Sequence, residues 1–119
     1  GNTIKDIHRL PATHVRYHTE TKQWYAWSPS ELWNITADGH PNLLTRTSEK
    51  IRSITPLNHK GLILIATDTT LIAFHPGYFF SHILLQNAHI EDTLVNQEHR
   101  WIFFFGTVND RQTLYQLDY

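Results

Sequence analysis

Nine histidines in 119 residues have the widest chemical reach of any side chains in this chain, because imidazole both moves protons and ligates metals. Spacing decides whether they act together. His14 and His18 lie four apart. On a helix they would share a face, but on a strand, at ~3.3 Å per residue, they stand roughly 13 Å apart. His75, His82, His89 and His99 fall in or near turns of different strands. Scattered imidazoles give no ligand set. They give at most a group that gains charge together in mild acid, around the ordinary histidine pKa of about 6.5.

The other reactive types are as dispersed. Asp38, Asp68, Glu98 and Asp110 sit in turn-like sequence, and Glu91 and Asp92 are neighbours on a strand, which aims them at opposite faces. Two carboxylates so placed do not share one bond. Ser28, Ser30, Ser48, Ser53 and Ser81 carry no nucleophile-elbow signature, no glycine-rich phosphate loop is present, and the chain has no cysteine. The expectation is no enzyme: no catalytic residue, no metal and no cofactor.

Aromatics are the interesting remainder: four Trp, five Tyr and six Phe. Most read as core. The sharper reading is a lectin-like site, in which Trp27 and Trp33, flanking the "SPSE" turn, stack on a sugar while Ser28, Ser30, Asp68 and Asp110 bond its hydroxyls. Ile65 and Ile72 stand at the equivalent positions further on, so the aromatic set does not recur. A sequon, "NIT" at Asn34, falls within a strand and reads as chance.

These residues are carried by a repeat. Trp24, Leu62 and Trp101 open similar apolar runs at steps of 38 and 39 residues, and Leu32, Leu71 and Leu114 open the next runs at steps of 39 and 43. Each unit reads as four short strands. The first is Val15–His18, Ile51–Leu57 or Ile90–Val95. The second is Trp24–Trp27, Leu62–Ala66 or Trp101–Phe105, apolar throughout as if covered on both faces. The third is Glu31–Ile35, Thr70–Phe74 or Thr113–Leu117, and the fourth is "NLLTR" or "HILLQ". Asp38-Gly39 and Pro76-Gly77 supply turns, and "GTVNDRQ" reads as a longer loop.

A unit of about 40 residues with four antiparallel strands, buried on both faces of its inner strands, predicts an all-β fold of β-propeller blades. A β-sandwich is the plainer alternative. The blades would span residues 13–47, 51–87 and 90–119 of a single domain, 1–119. The third lacks its fourth strand, and the chain opens with an extended segment, 3–10, that has no hairpin partner. Ile4, Ile7 and Leu10 are therefore expected to complete the last blade beside Leu114, Tyr115 and Leu117, closing the ring.

The residues Glu31, Leu32, Trp33, Asp38, Gly39, Leu43, Leu44 and Thr45, in "SPSELWNITADGHPNLLTRTSEKI", resemble the blade pattern of TolB-like and WD-repeat-like β-propellers. The ending "TLYQLDY" is similar to the last blade of bacterial proteins that join a PEGA-type module to a terminal propeller. The Gly-His and Trp-Asp dipeptides of WD repeats are missing. The resemblance implies interaction or scaffolding, often outside the cytoplasm, and carries no catalytic residues.

Composition narrows the partners. Ten basic and eleven acidic residues leave a net charge of −1 with no basic patch, which argues against nucleic acid. The apolar runs "LILIA" and "WIFFF" are far short of the ~20 residues of a membrane-spanning helix, so no direct membrane insertion is expected, and no signal peptide is visible. The chain opens on Gly1 rather than methionine, as a processed piece of a longer protein would. Three blades fall short of the typical ~4–8 of a closed propeller and would leave two inter-blade faces bare. The expected partner is a second copy, forming a homodimer, or upstream blades of a longer chain, with another protein on the loops. The alternative is the carbohydrate-binding propeller.

Overall fold

The computed structural model describes residues 3, 10–19, 21–57, 61–78, 80–96 and 98–118. Its strands in chain order are β1 (His14–His18), β2 (Gln23–Trp27), β3 (Glu31–Ile35), β4 (Pro41–Arg46), β5 (Ile51–Pro56), β6 (Ile63–Thr67), β7 (Leu71–His75), β8 (Phe80–Leu85), β9 (Ala88–Asn96), β10 (Trp101–Val108) and β11 (Arg111–Asp118). A 3-10 turn, Pro76–Tyr78, joins β7 to β8. Among the described residues no helix is long and apolar enough to cross a membrane. The chain divides into two compact units, Gly1–Ser48 and Glu49–Tyr119.

The first unit is one antiparallel meander, β1-β2-β3-β4. Its hairpins follow from turn chemistry. The Gly39 amide donates to the Thr36 carbonyl at 2.9 Å, and Gly39 takes a φ of 85°, which favours glycine. The Thr36 hydroxyl bonds the Asp38 carboxylate, and that bond holds the carboxyl below its ordinary pKa. Buried side chains sit on both faces of the middle strands: Tyr25, Trp27 and Leu32 on one, Ala26 and Trp33 on the other. Burial pushes the Tyr25 phenol up in pKa.

The second unit holds two sheets, β5-β6-β7-β8 and β11-β10-β9. They share a core in which Leu64, Ala66, Leu71 and Ala73 of the former cluster with Ile90, Ile102 and Phe104 of the latter. Strand β6 is buried at every position, as its unbroken apolar run predicts. Strand β10 is not. Ile102 and Phe104 are buried, while Trp101 and Phe103 are half-exposed and Phe105 is exposed, so one face of this aromatic strand lies bare. Aromatic bulk alone does not say that both faces are covered.

Register irregularities recur along the chain. Ile51 pairs Thr67 and Ser53 pairs Ala66, leaving Arg52 extra; Ile90 pairs Gly106 and Asp92 pairs Phe105, leaving Glu91 extra, 39 residues on. Leu44 in β4 and Leu84 in β8 are extra in the same way, opposite Leu32/Trp33 and Leu71/Ile72. Such bulges sharpen twist at fixed points. The bulge at Glu91 also interrupts strict alternation, so Glu91 and Asp92 are both exposed rather than divided between a covered and an open face.

One expectation changes here, and another falls mostly outside the described residues. "GTVNDRQ" is not a long loop: β10 and β11 run on through it to a Val108–Arg111 pair, with Asn109 (φ 50°) and Asp110 (φ 67°) as a two-residue turn. Asn and Asp tolerate the left-handed conformation that the tight hairpin turn needs at both positions, so no longer loop is required. The ring-closing segment falls mostly outside the described residues: Ile4 and Ile7 are not among them, and Leu10 is half-buried and in no strand. Among the described residues, β11 pairs with β10 alone.

Candidate interaction surface

The β2–β3, β6–β7 and β10–β11 turns carry most of the polar residues singled out above, and buried hydroxyls build two of these turns. Ser28 Oγ accepts the amides of Ser30 (3.3 Å) and Glu31 (3.1 Å), while the Ser28 amide donates to the Glu31 carbonyl at 3.0 Å. Thr67, 39 residues on, repeats the arrangement: its Oγ1 accepts the Thr70 amide at 3.0 Å and its amide donates to the Thr70 carbonyl at 2.9 Å. Ser28 and Thr67 are buried. Both are therefore turn-forming residues, and the Ser28 hydroxyl is taken up by the backbone rather than offered to a ligand. Ser28→Ala is expected to cost about 1–2 kcal/mol, the two bonds lost, seen as a lower urea midpoint at unchanged slope.

The segments that follow the fourth strands lie beside these turns. In the first unit the Thr47 amide donates to the Ser30 carbonyl at 2.9 Å, and Arg46 Nε meets Glu31 Oε2 at 3.1 Å. In the second unit the Ala88 amide donates to the Thr69 carbonyl (2.8 Å), and the Asn109 amide donates to the Asn87 carbonyl (3.0 Å). His89 Nδ1 lies 3.2 Å from the Asp68 carbonyl oxygen, and Glu49 accepts from the Thr67 and Thr69 hydroxyls at 3.3 and 2.5 Å. Arg52 and Asp68 pair at 3.4 Å. Exposed as it is, that pair stabilises little and instead fixes two side chains on the surface. The result in the second unit is a polar end made of Glu49, Arg52, Asp68, Thr69, His89 and the Asn109-Asp110 turn.

This places the sequence candidates. Asp68 and Asp110 are exposed at that end, Asp110 in the turn itself. Ser30 is exposed. Trp27 and Trp33, however, are each only 7% exposed, and their registers (Trp27 with Leu32, Trp33 with Ala26) send them to opposite faces of the sheet. They flank one turn without sharing one side, so they do not form the paired platform a sugar ring needs. His14 stacks on Trp27 at 5.3 Å. Trp27 Nε1 and Asn34 Oδ1 are buried without a hydrogen-bond partner among the described residues. Glu49, Thr69 and His89 fall in connections that the sequence marks as the loops to carry function, residues 45–50, 67–69 and 86–89; Arg52 was missed, and its polar character beside a turn was the available signal.

No group of three or more His, Asp and Glu side chains converges as a metal site among the described residues. Two imidazoles do meet. His75 and His82 stack at 5.5 Å, with the Phe80 ring 5.9 Å from each. His82 also lines a pocket of 180 Å³ whose other walls are Leu57, Leu62, Leu64, Ala73 and Leu84.

No family model matches the chain, and no curated protein matches its sequence. Two solved structures share its fold. One is the N-terminal domain of Nup159, at 13% identity and a TM-score of 0.56, covering 91% of this chain and 31% of that one. The other is a complex from S. cerevisiae in which Dbp5 is bound to Nup159, Gle1, IP6 and ADP, at 13% identity and a TM-score of 0.57, covering 91% of this chain and 30% of the matched chain. The chain thus spans under a third of the structures it matches. The Nup159 domain is a β-propeller. The likeness does not reach TolB-like, WD-repeat-like or PEGA families; it assigns an all-β, propeller-like fold of several antiparallel sheets.

Proposed function

We propose that the chain is a non-catalytic β-propeller module that serves as a protein-interaction or scaffold domain, its sheets acting as blades of a ring completed by a second copy or by further blades. The observation that carries this reading is a set of exposed apolar side chains on one face of each of two sheets, on the first of them around the buried Ala26 and Trp33. Val15, Tyr17, Trp24 and Leu43 are exposed on one face of the β1–β4 sheet, and Leu94, Phe105 and Leu114 on one face of the β9–β11 sheet. Val15 is 62% exposed, Leu94 70% and Leu114 66%. Clustered apolar side chains in water mark surfaces made to be covered. In a propeller each blade face is covered by the next blade. The Nup159 complex supports a protein as the kind of partner, and the polar turns offer it a rim.

Sedimentation equilibrium tests the assembly. The 14.0 kDa chain is expected to sediment at twice its mass at high micromolar concentration. Leu94→Lys combined with Leu114→Lys should return it to monomer with an unchanged circular dichroism spectrum. A wild type that stays monomeric, indistinguishable from the variant, would overturn closure by a second copy.

A further inference from the structure

The β7–β8 hairpin brings two imidazoles to the rim of an apolar pocket. Ala73 pairs His82 and His75 pairs Phe80, so these four side chains share one face of the β5–β8 sheet. On that face Leu57, Leu62, Leu64, Ala73, His82 and Leu84 line a space of 180 Å³. Leu57, Leu62, Leu64 and Ala73 are at most 9% exposed, Leu84 is half-buried and His82 is exposed. The walls are therefore aliphatic and covered, and the one polar side chain stands where the pocket meets water. His75 stacks on His82 at 5.5 Å, and the Phe80 ring lies 5.9 Å from each. The ring nitrogens of both imidazoles have no hydrogen-bond partner among the described residues.

We propose that this site binds a short aliphatic carboxylate, its tail among Leu57, Leu62, Leu64, Ala73 and Leu84 and its head against His82 and His75. Volume sets the tail. An aliphatic cavity of about 150 Å³ accepts a six-carbon ring, so 180 Å³ suits a chain of about that many carbons. Lining sets its polarity. A sugar or nucleotide would bury hydroxyls or a base edge against walls that offer no partner, whereas a hydrocarbon loses nothing there. The rim sets the head. An imidazole N–H donates a hydrogen bond, and the ring carries positive charge in mild acid. A carboxylate accepts one bond from each ring and offsets the charge of two rings held 5.5 Å apart. A metal ion is the poorer occupant. No third His, Asp or Glu joins the pair among the described residues, and lasting sites use three or four protein ligands. This site goes beyond the interaction-module reading and lies within one sheet.

The test titrates butanoate, hexanoate and octanoate into the isotope-labelled full chain at about pH 6, followed by NMR. Affinity is expected to rise about fourfold per methylene from butanoate to hexanoate, and to level off by octanoate, whose last carbons stay in water. Hexanoate should bind with a Kd on the order of 1 mM, shifting the Leu64 and Leu84 methyls and the His82 ring together. With the same tail, 1-hexanol should bind about tenfold more weakly and hexylamine more weakly still. His82→Phe keeps an exposed ring and removes its nitrogens. It should lower hexanoate to the affinity of hexanol and leave hexanol nearly unchanged. Affinity that ignores chain length would overturn the proposal, as would hexylamine binding as tightly as hexanoate. Shifts that spare Leu64 and Leu84, or hexanoate binding that His82→Phe leaves intact, would overturn it too. None of these readings depends on whether the wild type sediments as a dimer, so the two proposals fail separately.

Discussion

Phe104→Ala is expected to destabilise the unit Glu49–Tyr119 by about 3–5 kcal/mol. Phe104 is 2% exposed and lies in the cluster shared by the two sheets, beside Ile90 and Ile102. Its ring stacks on Tyr115 at 5.2 Å with 21° between planes. Truncation removes the buried ring, leaves a cavity between sheets that close only in part, and strands Tyr115 without its partner. Urea denaturation followed by tryptophan fluorescence gives the number. The internal control is the next residue. Phe105 is 41% exposed on the bare face of the same strand, so Phe105→Ala should cost well under ~1 kcal/mol in the monomer. Equal costs at the two positions would mean that β10 does not divide into a buried and an open face as described.

Gly106→Val should lower stability by about 3 kcal/mol. Glycine is required there for closeness rather than for backbone freedom. A Cβ at Gly106 would run into the carbonyl oxygen of His89 and come within 3.1 Å of the Ile90 Cα, and both are backbone atoms that no rotamer change moves aside. The residue sits where β9 bulges against β10, a place where two backbones approach more closely than a regular ladder allows. For a unit of this size each kcal/mol moves the melting temperature by roughly 4–8 °C, so a fall of about 12–24 °C is expected by calorimetry. Gly77→Ala is the comparison: a Cβ there meets nothing within 4 Å, and the melting temperature should hardly move. If both variants melt alike, the bulge relaxes more easily than its geometry suggests.

Hydrophobic runs and turn residues were enough to read the strands. Glu31–Ile35 was delimited residue for residue, and Asp38-Gly39 stands at the turn where its chemistry places it. What was missed depends on pairing register, which a run of residue types does not contain. Trp27 and Trp33 read as a pair because they flank a turn; only the register, with Trp33 opposite Ala26, shows that they diverge. His75 and His82 are seven apart and meet because Ala73 pairs His82 and His75 pairs Phe80, a diagonal across the hairpin. The Asn109-Asp110 turn was hidden for a different reason. Thr107, Val108 and Gln112 are polar or small enough to pass for loop, yet the β-branched pair among them prefers a strand once two left-handed residues close the hairpin. The polar end was legible as loops, but the hydrogen bonds joining one loop to the next were not.

Every strand pairing in the described chain joins neighbours in sequence. That feature, set out above as topology, bears on how the chain acquires its shape. Closing a loop costs entropy that rises with the length of chain enclosed, and here each hairpin encloses only a few residues before its strands begin to pair. All-β proteins are slow folders when distant strands must find each other. A meander avoids that search: each sheet can zip from its own turns, on the microsecond scale of a single hairpin, before its apolar faces find cover. During synthesis the β1–β4 meander emerges first and can pair its strands before the last strands of the second unit are free to pair.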